Sequence, residues 1–289
     1  MKKALRHPLF AAGFTISLLL CAIALFGRTF APNDPLFVDL HNTLAPPGGA
    51  FPLGTDNLGR CVFSRLLCGA RATLGSALMV ELFTLTFGLF VGLIAGYFGK
   101  AADGVVLIVI DTLLAFPSII LALVIAGMLG AGLLNLMLAL CAVYWVEHAR
   151  MARSLTRSVR GQTFVLAAQA SGSGSFSIIL GKILPHILPP MIVYSALNAS
   201  SLIIGISSLS FIGLGVRPPA PEWGASLNEA RAYMDTNPQM LIAAIVCVLL
   251  AVAGFQLMAE GLRDVLSVRR PHVGIFRKRR RNAHGQLDL

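Results

Sequence analysis

Long apolar runs separated by polar stretches dominate the chain, and their lengths predict helices that cross a bilayer. A crossing helix needs about 20 mainly apolar residues. Residues 9–27 carry no charge, 73–98 carry only Glu81, and 105–129 carry only Asp111. A shorter run at 130–146 and two further runs at 187–209 and 240–258 complete the set. The pattern predicts an all-α, polytopic membrane protein with six transmembrane helices. Lys2, Lys3 and Arg6 precede the first run, as in a signal peptide. Its apolar stretch exceeds the usual 7–15 residues of such a signal, and no small-x-small site follows, so it reads as a retained anchor.

Three longer segments interrupt the runs, and loops above about 12–15 residues usually have a task. The first, 28–72, opens on Pro32, Asn33, Asp34 and Pro35, a turn-rich entry. Further on, Leu58, Val62, Phe63, Leu66, Leu67 and Ala70 share one helical face. Such a helix either lies in the membrane interface or packs on the spans. The second, 147–186, places Arg150, Arg153, Arg157 and Arg160 three and four residues apart, which makes one helical face basic. The pattern pauses at Gly172 and Gly174, resumes at Phe176, and meets Pro185, Pro189 and Pro190 at the entry to the fifth run. Helix, glycine turn, helix is the expected arrangement, a projection that a soluble partner could grip. The third, 210–238, is rich in Gly and Pro around Trp223 and reads as ordered turns with an aromatic interface anchor.

Composition agrees with the membrane reading. The 289 residues are 56% hydrophobic and 12% charged, against about 45–50% and about 25% in a soluble domain. The net charge of +10 would suggest nucleic acid on a soluble protein. Here its distribution explains it. With both termini in the cytosol, 17 of the 23 basic residues fall inside, and Arg28, Arg60, Arg65, Arg71, Arg217 and Arg231 fall outside. The basic run 277–281 then reads as a cytosolic anchor near anionic lipid. Membrane lipid is thus an expected partner and nucleic acid is not.

Acidic residues inside a span are functional candidates by default. Asp111 stands about 10 Å into the third run, and Pro117 six residues later predicts a kink or break. Structural interhelical bonding is the plainer reading of Glu81 and Asp111, and substrate contact is the sharper one. The five cysteines form no CxxC pair, and the six histidines are scattered, so no metal site or other cofactor is expected. The phosphate-binding loop of ATPases is missing as well, so any ATP hydrolysis needs separate subunits.

Several motifs together resemble a permease subunit of an ABC importer, in the family that takes up dipeptides, oligopeptides and nickel. They are Leu53-Gly-Thr-Asp-Asn-Leu-Gly-Arg60, then Ser64-Arg-Leu-Leu67 with Gly69-Ala-Arg71, and the stretch from Asp111 to Phe116-Pro117. The run Leu209-Ser-Phe-Ile-Gly-Leu-Gly-Val216 with Pro221-Glu-Trp-Gly224 adds to them. The resemblance spans residues 53–263 and implies the type I importer permease fold. The cytosolic segment is similar to the family's coupling motif, with Phe164-Val-Leu-Ala-Ala168, Gly172 and Lys182-Ile-Leu-Pro185. Cys61 stands where the family usually has Asp, Leu166 replaces its Glu, and Lys182 replaces its His.

The resemblance implies that Phe164, Ala167, Ala168, Gly172, Lys182 and Pro185 couple to an ATPase. It also implies that Asp111, Pro117 and Glu81 belong to the pathway or to interhelical contacts. Implied partners are two ATP-binding subunits, a second homologous permease and an extracytoplasmic substrate-binding protein. Trp145, Ala149-Arg-Met-Ala-Arg-Ser154, Ser171-Gly172 and Ala230-Arg-Ala-Tyr233 look closest to the nickel-type branch. Nickel would then pass as a chelate, and a di- or oligopeptide is the other candidate substrate. The chain divides into an anchor and periplasmic segment at 1–72, a permease core at 73–263, and a basic cytosolic tail at 264–289. An intramembrane enzyme would need converging catalytic groups, and a stand-alone carrier or channel would not need a coupling segment.

Overall fold

The computed structural model describes residues 7–267. The basic residues of the first six positions, the run 277–281 and both termini lie outside them. Apolar runs become long helices because a chain without water must satisfy its peptide groups internally. They are α1 (Pro8–Phe30), α2 (Val62–Phe98), α3 (Lys100–Leu114), α4 (Ser118–Leu129), α5 (Leu133–Arg160), α8 (Leu184–Phe211) and α10 (Pro238–Ser267). Shorter helices fill the connections: α6 (Thr163–Ala170), α7 (Ser175–Ile178) and α9 (Trp223–Arg231). Among the described residues the one β-pairing is an isolated antiparallel bridge between Thr55 and Cys61.

Of the six expected crossings, length and hydropathy support four or five. By length and hydropathy, four helices can cross a membrane: α1, α2, the continuous stretch Ser175–Phe211, and α10. The pair α3–α4 makes a fifth only if its two halves count as one span, because they meet at 85°. Pro117 stands at this bend as the residue before α4, where its missing N–H costs no helical bond. The run at 130–146 lies in α5 from Leu133 on, and the apolar half of that helix is short. Glu147, His148, Arg150 and Arg153 follow within the same helix and lower its mean hydropathy.

Helix α2 also runs further than expected. Residues 58–72 are no separate interfacial helix, because from Val62 they form the first turns of a 37-residue helix. That helix is about 55 Å long. Its buried Val62, Leu66 and Ala70 join the main core, where Trp223 of α9 is packed. The second helix of the expected projection is likewise no separate piece. It passes through a π-helical turn at Ile179–Ile183 into α8.

Helices α2 and α5 approach closely, and small residues make the contact. A Cβ added at Gly88 would lie 2.5 Å from His148 Cβ, and one at Gly92 2.6 Å from the Ala149 carbonyl. At Gly96 it would meet Thr156 Cβ at 2.7 Å. Gly88, Gly92 and Gly96 form one stripe, each four residues from the next, and the two backbones meet along it. Both helices run in the same direction.

Candidate functional site

The segment expected to couple lies between α5 and α8. Helix α6 ends in a closed C-terminal motif. The Gly172 N–H donates to the Gln169 carbonyl at 3.0 Å, and the Ser173 N–H to the Ala168 carbonyl at 3.1 Å. This pattern needs a left-handed residue at the first position after the cap, and Gly172 supplies φ +78°. The chain turns there, and α7 begins three residues on. The inner side of the pair is apolar: Val165, Ile178, Ile183 and Ile187 are buried with Leu93, Tyr97 and Val159.

The outer side is unusual for a surface loop. Leu166 is 51% exposed and Phe176 76% exposed, with Leu180 beside them. Of the six residues expected to couple, Phe164 and Ala168 are half-buried against the inner cluster. The Phe164 ring stacks on His186 at 4.7 Å. Ala167, Gly172, Lys182 and Pro185 are exposed. Pro185 sits in the first turn of α8, where no N–H is needed. Along the basic face of α5, Arg153 is bound to Asp103 of α3, at 2.8 Å from Nη2 to Oδ2. Arg160 lies over the Tyr97 ring, and Arg150 is exposed.

At the opposite end of the bundle, the motif at 53–60 builds a buried charge network. Asp56 accepts the N–H groups of Leu58 and Arg60, both at 2.9 Å. Its other oxygen pairs with Arg60 Nε at 2.7 Å and stands 3.4 Å from Arg65 Nε. Both guanidiniums then reach Glu229 of α9 at 3.0 Å. Arg60 and Arg65 are almost fully buried, so each charge relies on its partners. Buried Glu222 caps α9 by accepting the N–H groups of Gly224 and Ala225, and it also accepts the Thr73 hydroxyl at 2.7 Å. The Trp223 indole N–H donates to the Leu66 carbonyl at 2.8 Å. These bonds fasten the loop before α2 and the segment after α8 into one block. Within that loop, the Asn42 side chain and then the His41 N–H hold the exposed Asp39 carboxyl below its ordinary range.

The two intramembrane acids are placed differently. Asp111 is in the last turn of α3, exposed, with no hydrogen bond from its carboxylate among the described residues. Its electrostatic neighbour is Arg153. Among the described residues it therefore clasps no other helix. Glu81 is buried and lies 2.8 Å from His148 Nε2 of α5. Pro117 is exposed at the α3–α4 bend.

His148, Glu222, Glu229 and Asp103 were not singled out from sequence. Each is a polar residue whose partner lies far along the chain, so its role shows only once the helices are packed. For His148 a signal was present: the spacing of Gly88, Gly92 and Gly96 marks a helix-facing stripe, and Glu81 lies seven residues before it.

Comparison with known proteins defines the class. Residues 88–265 match the family described as the binding-protein-dependent transport system inner membrane component. The chain is 37% identical over 255 residues to the nickel transport system permease protein NikC of Escherichia coli (strain K12), covering 88% of this chain and 91% of that protein. It is 36% identical over 262 residues to the glutathione transport system permease protein GsiD of Pectobacterium atrosepticum, covering 90% and 87%. With the dipeptide transport system permease protein DppC of Alkalihalophilus pseudofirmus it shares 34% over 265 residues, covering 92% and 87%. The chain belongs to this family of inner-membrane transport components, and it is a transmembrane permease component of an ABC importer.

Proposed function

We propose that this permease crosses the membrane six times, with α3–α4 as one broken span and α5 as another. Both termini and the α6–α7 projection face the cytosol. The observation that carries the coupling role is the projection itself. It is rigidly closed at Gly172, rooted on buried Val165 and Ile183, and capped by exposed Leu166 and Phe176. Two ATP-binding subunits would cover that apolar cap. A second homologous permease would cover the exposed apolar faces of α3 and α4, where Asp111 lies, and the pathway would run between the two subunits. An extracytoplasmic binding protein would deliver substrate at the end fastened by Asp56, Arg60, Arg65 and Glu229. The substrate is nickel as a chelate or a di- or oligopeptide, a reading supported by the likeness to nickel, glutathione and dipeptide permeases.

Cross-linking tests the coupling role. In a chain whose five native cysteines are replaced, Phe176→Cys should cross-link to the ATPase subunit in membranes. The same change at Met79, on the outer half of α2, should not. Equal cross-linking at both positions, or none at Phe176, would rule out the projection as the docking point.

A further inference from the structure

Most of the arginines expected on the outer face have partners. Arg60 and Arg65 join the network of Asp56 and Glu229. Arg217 Nε donates to the Ala131 carbonyl at 2.8 Å, and Arg231 lies over the Phe211 ring. Arg28 and Arg71 are different. Both are exposed, and among the described residues neither makes a hydrogen bond or an ion pair. Arg28 stands in the last turn of α1, where a positive charge suits the helix end. Arg71 has no such reason, because it lies well inside α2.

The two arginines line one hollow of about 240 Å³, together with Asp34 and Pro221. That hollow shares Leu25, Cys68 and Arg71 with a larger groove of about 680 Å³ between α1, α2 and the start of α5. The wall of the groove is apolar, built from Cys21, Leu78 and Met79 with Leu133 and Met137 of α5. Its Ser76 is satisfied within its own helix, donating to the Ala72 carbonyl at 2.6 Å. Gly75 adds open space, since a Cβ there meets nothing within 4 Å. The result is an apolar slot with a cationic mouth, and its volume falls within the roughly 300–1,000 Å³ of small-ligand sites.

We propose that this slot holds one anionic phospholipid, with an acyl chain in the groove and the phosphate at Arg28 and Arg71. A guanidinium fork donates two parallel N–H bonds to phosphate oxygens, which suits a charge that has no protein partner. The net charge of the mouth selects the headgroup. Two guanidiniums and the Asp34 carboxylate, which already accepts the Leu36 N–H at 2.9 Å, leave one positive charge. A headgroup with one net negative charge, as in phosphatidylglycerol, neutralises it, and a zwitterionic headgroup does not. A free anion would leave the apolar slot empty. A helix of the second permease could fill the slot but would need a carboxylate at its mouth. The topology proposed above puts this mouth in the outer leaflet, although the site itself does not depend on it.

The test uses the assembled complex, with the second permease and the ATPase subunits, in phosphatidylcholine liposomes. They carry a trace of phosphatidylglycerol with a photoreactive group on its acyl chain. After irradiation, labelled peptides of this chain are identified by mass spectrometry. Label should appear within 21–28 and 67–79, the segments of α1 and α2 that line the slot. Unlabelled phosphatidylglycerol should compete about tenfold better than phosphatidylethanolamine, the worth of one charge-assisted contact. Arg28→Gln with Arg71→Gln should remove that advantage at unchanged membrane abundance. Gly75→Phe leaves both charges in place and should suppress the label by filling the slot. Absence of label in the wild-type complex would mean that another subunit covers the slot, and it overturns the proposal. Equal competition by the two lipids in the wild type overturns it as well, as does a preference that survives loss of both arginines or a label undiminished by Gly75→Phe.

Discussion

Replacing Gly92 by Ala probes the approach of α2 to α5. The added methyl would stand 2.6 Å from the Ala149 carbonyl oxygen, 2.6 Å from Ala152 Cβ and 2.8 Å from the Arg153 nitrogen. Non-bonded carbon contacts settle at about 3.5–4.0 Å, so the helices must separate by on the order of 1 Å. Two of the three neighbours are backbone atoms and cannot rotate away. Overpacking costs about 1–3 kcal/mol, and the upper end applies here. At about 2–4 °C per kcal/mol for a chain of this size, the thermal midpoint should fall by about 6–12 °C. Gly75→Ala is the control, because its added methyl meets nothing within 4 Å. It should melt within about 2 °C of wild type. Fluorescence-detected melting of detergent-purified protein reads both. If Gly92→Ala melts with wild type, the glycine stripe does not set the α2–α5 distance.

Two further outcomes follow from the charges. Glu229→Gln leaves the Arg60 and Arg65 guanidiniums with Asp56 as their one remaining carboxylate, which should cost about 3 kcal/mol. Melting with and without high salt would detect it, and an unchanged midpoint would show that Glu229 is dispensable to the network. Asp111→Asn should keep most transport, because an amide still bonds to a neighbouring subunit, while Asp111→Leu should lose transport or assembly. Uptake and membrane abundance separate the cases: an assembled but inactive Asn variant would point instead to direct recognition of a cationic substrate.

The backbone of the segment between α5 and α8 was the most legible part of the sequence because its features are local. A pause at Gly172 between two apolar patches specifies a turn, and the backbone takes positive φ there. Pro117 likewise marked the break between α3 and α4. The helix ends were less legible. Hydropathy begins the second span at Thr73, yet Val62, Leu66 and Ala70 extend the same buried face, and peptide hydrogen bonding continues through Arg71 without regard to its charge. In α5 the apolar run alone understates the helix, because Glu147 and His148 continue it although they end the run. Of the Glu81–His148 pair the sequence showed only the acid and the glycine stripe beside it, not the partner. The partner of a buried acid depends on which helices touch, and small residues decide that while adding little to hydropathy. The same limit hid Glu229, which lies more than 160 positions from Arg60 and Arg65.

The central claim is that the projection closed at Gly172 couples this permease to an ATPase. Gly172→Val tests it most directly. A β-branched residue at φ +78° is strained by about 1–3 kcal/mol, while a Cβ there meets nothing within 4 Å. The variant should therefore insert and assemble at wild-type abundance. ATP-driven uptake by the reconstituted complex should be lost while ATP hydrolysis continues without it. Wild-type uptake per ATP by Gly172→Val would contradict the account.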